Sequence, residues 1–284
     1  MFTGDDGDAT PRHPPGRGRM TRVGFVGLGN QGAPIAQRII DEGHPTTLFA
    51  RRPATLDPFR DSPAAIADSL RDLGARSEVA FVCVVDDAQV EEVMAGDNLL
   101  AGMAAGSVAV ILSTVDPETC RRMAKLAAER GVAVVDAPVS GGGAVAAQGA
   151  LTVMVGGEPD AYQRCLPVLE AFGGNIQYLG GVGAGAAGKL INNFLFAGNL
   201  VLADQALKLG TKAGIEREQL ASFLATGSGR SFALGAVESI LGRDGPGRHA
   251  VQLLRKDVGL ARRMAARLQL PLEELTWLLR RLEE

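Results

Sequence analysis

Residues 23 to 53 read VGFVGLGNQGAPIAQRIIDEGHPTTLFARRP. A continuously apolar run enters a turn bearing Gly27, Gly29 and Gly32, an amphipathic pattern follows through Ile40, and a second apolar run closes the stretch. Glycines at this spacing meet three backbone demands: Gly27 the tight turn, Gly29 close approach of the chain to a pyrophosphate, Gly32 packing of helix on strand. A bare glycine turn would be weak evidence. Strand, turn, helix and strand within about 30 residues supply the context that makes the spacing a dinucleotide-binding signature. The opening helix offers unpaired N–H groups and a positive dipole end to phosphate. Gly27, Leu28, Gly29, Asn30, Gln31 and Gly32 are therefore the candidate cofactor-binding loop.

The second apolar run ends in Ala50, Arg51 and Arg52, where a carboxylate would hydrogen-bond the adenosine ribose of NAD; the next acid in sequence is Asp57. A guanidinium pairs with the 2′-phosphate of NADP and finds far less to bind on an unmodified ribose. NADP(H) is the expected cofactor, with NAD less favoured. Arg51 carries that expectation; Arg52 reads equally as a solvated surface charge.

Up to about Gly180 short apolar runs alternate with helical patterns, among them VAFVCVV, SVAVILST, VAVVDAPVS and LTVMVGG. Such alternation predicts a mainly parallel sheet, and continuously apolar strands predict helices on both its faces. Beyond GGVGAGAAGKL the helical period takes over, first in the long segment KLINNFLFAGNLVLADQALKLGTKAG. The expected fold is α/β, a Rossmann-type doubly wound N-terminal domain (20–183) followed by an all-helical C-terminal domain (184–284). Apolar residues around much of the long helix suggest burial against more than one neighbour, which predicts a homodimer or higher homo-oligomer through the helical domain. Residues 1–19, rich in Gly, Pro, Asp and Arg, read as a disordered tail.

A formal charge of −3 gives no basic field for nucleic acid, and no run of roughly 18 apolar residues suggests a membrane span. Cys83, Cys120 and Cys165 are odd in number and unclustered, which points away from disulfides and zinc and toward the cytoplasm.

Three further motifs carry chemistry. DAPVSGG, residues 136–142, ends a strand with Ser140, Gly141 and Gly142, a hydroxyl and backbone N–H groups able to hold a substrate carboxylate; a plain structural turn is the competing reading. GAGAAGKLINN places Lys189 and Asn193 one helical turn apart on the same face. Beside apolar Leu190 and Ile191 the lysine can be partly desolvated, which lowers its pKa toward that of a proton donor useful at neutral pH. LLRKDVGLA adds Lys256 and Asp257; Lys256 either reaches across a cleft to cofactor or substrate or is a surface charge.

In this order and at these separations, GLGNQG, DAPVSGG, GKLINN and KDVGLA resemble the motifs of the β-hydroxyacid dehydrogenase family, which includes the 3-hydroxyisobutyrate dehydrogenases, from about Met20 to Arg281. The resemblance implies Lys189 as catalytic lysine, Asn193 as its helical partner, and Ser140, Gly141 and Gly142 as the substrate anchor. It also implies that Thr114, with Val84 and Val85 where the family commonly has Leu-Pro, lies against the nicotinamide half of the cofactor, and that Lys256 matches the family's Lys-Asp lysine. Val145 stands where many members have glycine, and the chain ends LLRRLEE without the family's frequent Gly-rich, Asp-Ser-Ala ending. Asn192 replaces the histidine of the 6-phosphogluconate dehydrogenases, and Lys189 is a residue that imine reductases usually lack. The expected function is hydride transfer between NADP(H) and a small β-hydroxy acid or semialdehyde acid; the alternatives are an imine reductase on cyclic imines and a non-catalytic nucleotide-binding module.

Overall fold

The computed structural model describes residues 20–242, 247–270 and 272–282. Residues 1–19, expected to be a disordered tail, lie outside that range. Nine strands form one sheet: β1 (Val23–Val26), β2 (Thr46–Phe49), β3 (Ala65–Ile66), β4 (Val79–Val82), β5 (Val108–Ile111), β6 (Ala133–Asp136), β7 (Val139–Ser140), β8 (Leu151–Gly157) and β9 (Gly173–Gly180). Their order is β3-β2-β1-β4-β5-β6-β8-β7, with β9 also paired to β8. The first six run parallel, and the order reverses between β1 and β4. Such a reversal opens a crevice at the carboxyl ends of the two strands.

β1, β4 and β5 are buried along their whole length because helices cover both faces. Phe25, Phe81 and Phe172 fill one side of the sheet, with the Phe25 and Phe81 rings stacked at 5.9 Å. Seven helices serve this domain: α1 (Gly32–Asp41), α2 (Leu70–Ala75), α3 (Asp87–Met94), α4 (Leu99–Gly102), α5 (Pro117–Ala128), α6 (Gly142–Ala147) and α7 (Pro159–Leu169). β8 runs antiparallel to β6 and β7, so the sheet is mixed at this end. The reason is the connection: between β7 and β8 stands only the short α6, too little chain for a crossover that would return the strand in parallel.

The second domain is helical: α8 (Ala184–Lys212), α9 (Arg217–Thr226), α10 (Phe232–Leu241), α11 (Gly247–Arg267) and α12 (Glu273–Arg281). α8 is its spine, burying Leu190, Ala197, Leu200 and Leu207 at helical spacing against the other helices. Where α8 leaves the sheet the packing is tight. A Cβ on Gly185 would overlap the carbonyls of Met154 and Asp136, so only glycine lets the helix start so close to β8. Asp136, wholly buried at the end of β6, accepts hydrogen bonds from the Gly183 and Ala186 N–H groups, both at 2.7 Å. These bonds satisfy amides at the helix start that would otherwise lack partners. Burial pushes the Asp136 carboxyl above its ordinary range, and those N–H groups hold it down against that push.

α11 is clasped to the sheet domain by charge. Arg267 donates to Asp116 at 2.6 Å, and Asp116 also caps α5 through the Glu118 N–H. Among the described residues no helix is long and apolar enough to cross a membrane.

Candidate active site

The glycine turn sits at the mouth of the crevice, and its geometry is that of a cradle. Gly27 has φ +99°, and a Cβ there would overlap the carbonyl of Cys83 at the end of β4. Gly32 is equally confined, against the Gly27 carbonyl, whereas a Cβ on Gly29 would meet nothing within 4 Å. Two glycines thus close the turn and the third keeps its outer side open. α1 starts without a side-chain cap and without an acid in its first turn. Its free end and positive dipole face that open side, an arrangement that fits a pyrophosphate. Leu28 is buried beneath the turn, and Asn30 stands at its exposed edge.

Arg51 and Arg52 both lie exposed beyond β2, on the side of the crevice where an adenosine would extend. Sequence reading finds no acid there before Asp57; the fold brings Glu92 of α3 to 3.8 Å from Arg51. Both side chains are well exposed, and a loose pair of this kind holds its arginine weakly. Arg52 opens the 3₁₀ turn Pro53–Phe59 and lends its carbonyl to the Thr55 hydroxyl.

On the other side of the crevice, Val84 is half-buried and its N–H donates to the Ser113 hydroxyl at 2.8 Å, while Val85 is exposed. Thr114 follows Ser113, and its carbonyl accepts from Lys256 Nζ at 2.6 Å. Lys256 therefore does cross between the domains. Its ammonium also lies 3.0 Å from Asp257 Oδ1, while Asp257 Oδ2 accepts from Asn193 Nδ2 at 2.6 Å. The Oδ1 contact is an ion pair without hydrogen-bond alignment. Asn193 Oδ1 accepts from Asn192 Nδ2 at 3.0 Å.

Lys189, one turn before Asn193 on α8, is buried beside this chain of contacts. Burial drives its pKa from the ordinary 10.5 to about 8; the Asp257 charge opposes the shift and the Lys256 charge adds to it. A lysine in this position can give a proton as ammonium or take one as neutral amine near neutral pH. Asn193 does not bond Lys189 directly; its amide is turned to Asp257, a carboxylate 64 residues further along the chain.

Ser140, Gly141 and Gly142 form the turn between β7 and α6. Gly141 and Gly142 have φ +136° and +76°, values that favour glycine and turn the chain sharply. Val145, where many members of the resembling family have glycine, packs back onto Gly141 and the sheet core. Gly143, which the motif reading passes over, presses on the dinucleotide turn: a Cβ there would overlap the Asn30 carbonyl. A glycine in the middle of a small-residue run carries no signal of that contact. Asp136 and Asp257 were visible within their motifs, but only the fold supplies their partners. Among the described residues no cluster of His, Cys, Asp and Glu could hold a metal ion.

Comparison with known proteins shows the family. Residues 22–180 match the family described as the NAD binding domain of 6-phosphogluconate dehydrogenase. Residues 183–281 match the family described as NAD-binding of NADP-dependent 3-hydroxyisobutyrate dehydrogenase. The chain is 36% identical to 2-(hydroxymethyl)glutarate dehydrogenase of Eubacterium barkeri, covering 86% of this chain and 82% of that protein. It is also 36% identical to the NAD-dependent L-serine dehydrogenase of Pseudomonas aeruginosa, over 87% and 86% of the two chains. Among solved structures, Mycobacterium tuberculosis 3-hydroxyisobutyrate dehydrogenase with L-serine superposes with a TM-score of 0.82 at 27% identity, covering 92% of each chain. An imine reductase from Myxococcus stipitatus superposes with a TM-score of 0.67 at 20% identity over 92% and 93% of the two chains, a likeness of fold alone. With a nicotinamide dinucleotide-binding sheet domain and a helical domain both matched in order, the chain belongs to the 3-hydroxyisobutyrate dehydrogenase family of β-hydroxyacid oxidoreductases.

Proposed function

We propose that the chain is an NADP(H)-dependent oxidoreductase that interconverts a small β-hydroxy acid and its semialdehyde in the cytoplasm. The single observation that carries this reading is Lys189: a buried lysine with a pKa near 8, held beside Asn193, Asp257 and Lys256 where the second domain meets the dinucleotide crevice. A scaffold that merely bound nucleotide would have no use for a desolvated ammonium in that place. The lysine also favours carbonyl over imine chemistry, since it stands where the resembling imine reductases usually lack a lysine.

The glycine turn and the start of α1 would hold the pyrophosphate, and Arg51, with Arg52 beside it, the 2′-phosphate. Family relatives include an enzyme named for NAD and a family described by NADP, so the choice rests on the chain's own residues. Arg51 keeps no strong internal partner and can turn to a phosphate. Val84, Val85 and Thr114 would line the nicotinamide half.

Ser140, Gly141 and Gly142 would hold the substrate carboxylate, fixing the distance from the carbonyl carbon to the hydride donor. When bound, the nicotinamide supplies or takes up the hydride. In reduction, Lys189 gives its proton to the carbonyl oxygen as that oxygen gains charge; in oxidation, neutral Lys189 takes the proton from the hydroxyl. Asn193, fixed by Asp257, borders the same oxygen, and Lys256 bonds the Thr114 carbonyl, holding the two domains around the reacting groups. Such positioning contributes roughly 7 kcal/mol or more in favourable cases.

A panel of small β-hydroxy acids and semialdehydes, each run with NADPH and with NADH, tests the proposal. Turnover of at least one carboxylate semialdehyde, with kcat/KM favouring NADPH at least tenfold, is expected, and Arg51→Ala should erase most of that preference. Equal efficiency with both cofactors would refute the arginine assignment, and faster turnover of a cyclic imine than of any semialdehyde would refute the reaction.

A further inference from the structure

Lys256 is joined by two further cations of α11 in reaching the sheet domain. Arg263 and Arg267 follow it by seven and eleven residues, so at about 100° per residue the three stand within an arc of about 40° on one side of the helix. Their charged ends converge on a single stretch of the sheet domain, the loop that leaves β5. Lys256 Nζ donates to the Thr114 carbonyl at 2.6 Å, Arg267 donates to Asp116 Oδ1 at 2.6 Å, and Arg263 Nε approaches Asp116 Oδ2 at 4.0 Å. Residues 256 and 267 lie about 16 Å apart along α11, yet positions only two apart in the loop receive them both.

That loop is itself fixed at both ends. The Ser113 hydroxyl accepts from the Val84 N–H at 2.8 Å, and the Asp116 N–H donates to Asp87 Oδ1 at 2.8 Å. Asp87 Oδ1 also accepts from the Thr119 hydroxyl at 2.7 Å. The loops after β4 and β5 are thereby tied together on either side of Thr114, and the carbonyl that Lys256 uses has a fixed place. Asp116 joins this frame to α11. Its side chain caps α5 through the Glu118 N–H, a task that a neutral asparagine or serine performs as well. A carboxylate only 8% exposed is costly to bury without a cation, so Arg267 rather than the cap accounts for the charge.

The consequence lies nearer the site. Asp257 stands about 100° around α11 from Lys256 and accepts from Asn193 Nδ2 at 2.6 Å. A carboxylate about 6 Å from the helix axis moves by about 1 Å when the helix turns by about 10°, and misplacement on that scale costs as much as about 100-fold in rate. Lys256 alone, on a flexible four-carbon stem, fixes neither the rotation nor the axial place of α11. A second attachment three turns further along fixes both.

We infer that Asp116 is a positioning residue of the reaction: held by Asp87 and paired with Arg267, it sets the rotation and axial place of α11, and so the seating of Lys256 on Thr114 and of Asp257 on Asn193. The inference rests on the reading of Lys189 and its neighbours as the catalytic centre.

Full-length chains carrying Asp116→Asn, Arg267→Met, both, or Arg267→Lys are compared with wild type on the substrate and nicotinamide cofactor that wild type turns over best. Asparagine keeps the cap on α5 and methionine keeps much of the arginine's apolar stem, so each removes one charge. Each single variant should lower kcat about tenfold with KM for the cofactor within about twofold of wild type, and the double variant should fall no further, since the two side chains act as one unit. Arg267→Lys, which keeps the charge, should restore most of the loss. Arg262→Met, which removes an exposed charge about 100° around the helix from Arg263, should leave kcat unchanged. Unchanged kcat in either single variant, losses that multiply in the double, or a raised cofactor KM at unchanged kcat would overturn the inference. Hydrogen exchange separates it from the reaction assignment: Arg267→Met should speed exchange in α11 and leave that of α1 as in wild type. If wild type turns over neither hydroxy acids nor semialdehydes, the assignment of the reaction fails. Faster exchange of α11 in Arg267→Met would then still uphold the setting of the helix by Asp116, and unchanged exchange would overturn it.

Discussion

Lys189→Met should make the protein more stable and inactive. The methionine keeps similar bulk in the buried site but carries no charge. The drop in the lysine pKa from 10.5 to about 8 measures how much the fold disfavours the ammonium, and at 1.36 kcal/mol per unit it amounts to roughly 3 kcal/mol at neutral pH. Between pH 8 and 10.5 the unfolded chain holds a proton on this residue that the folded chain has released. Wild-type stability therefore rises with pH through that window, and below pH 8 the cost of the buried ammonium is present in full. The variant's advantage should be largest near pH 7 and smaller by roughly 2 kcal/mol at pH 9.5, measured by urea denaturation at matched protein concentration. Turnover should fall to background in both directions while cofactor binding persists. For wild type the same pKa sets the pH dependence: kcat/KM for oxidation rises with pH to a plateau above about 8, and the reductive rate falls over the same range. A stability difference that does not change between pH 7 and 9.5, or a destabilised variant, would refute the account of Lys189 as a lysine held against its solvation.

Three other substitutions probe what surrounds it. Gly143→Ala should raise KM for cofactor and carboxylate substrate together, because the added methyl overlaps the Asn30 carbonyl and parts the two loops; a change confined to the substrate would show that they are not coupled. Asp257→Asn removes the charge that raises the Lys189 pKa, so the midpoint of the oxidation profile should move to lower pH, and an unmoved midpoint would contradict the contact. Asp136→Asn turns an NH₂ toward one of two buried N–H donors and should cost about 1–3 kcal/mol in urea denaturation, with kcat falling as α8 loosens.

What the sequence shows of this fold is mostly backbone. Gly27 and Gly32 are glycines because a carbonyl occupies the place of a side chain, and that constraint is written in the residue itself. β1, β4 and β5 are legible because burial on both faces requires unbroken apolar runs. β9 is not, since GGNIQYLG is mostly exposed at the end of the sheet and shows neither a continuous apolar run nor a clean alternation. Neither is the direction of β8, which depends on the length of α6 rather than on the composition of the strand.

The candidate site divides along a similar line. Which residues are candidates for chemistry is readable from motifs, whereas their partners are contacts between distant segments: Arg51 with Glu92, Asn193 with Asp257, Lys256 with the Thr114 carbonyl. Lys189 shows how a sound expectation can rest on an incomplete cause. Sequence reading credits its desolvation to Leu190 and Ile191, but only Leu190 is buried with it; Ile191 projects from the opposite side of α8. The burial that lowers the lysine's pKa instead comes from where the helix is seated, its first turn held down by Asp136 and pressed through Gly185 onto β8, with α11 closing over Lys189 and Asn193. One helix thus presents a desolvated ammonium on one side and exposed Ile191, Leu195, Leu202 and Leu209 on the other. The lysine's environment depends on how α8 meets its own sheet domain, so a substitution on the exposed side that spares this anchor should leave the pH midpoint of catalysis unmoved.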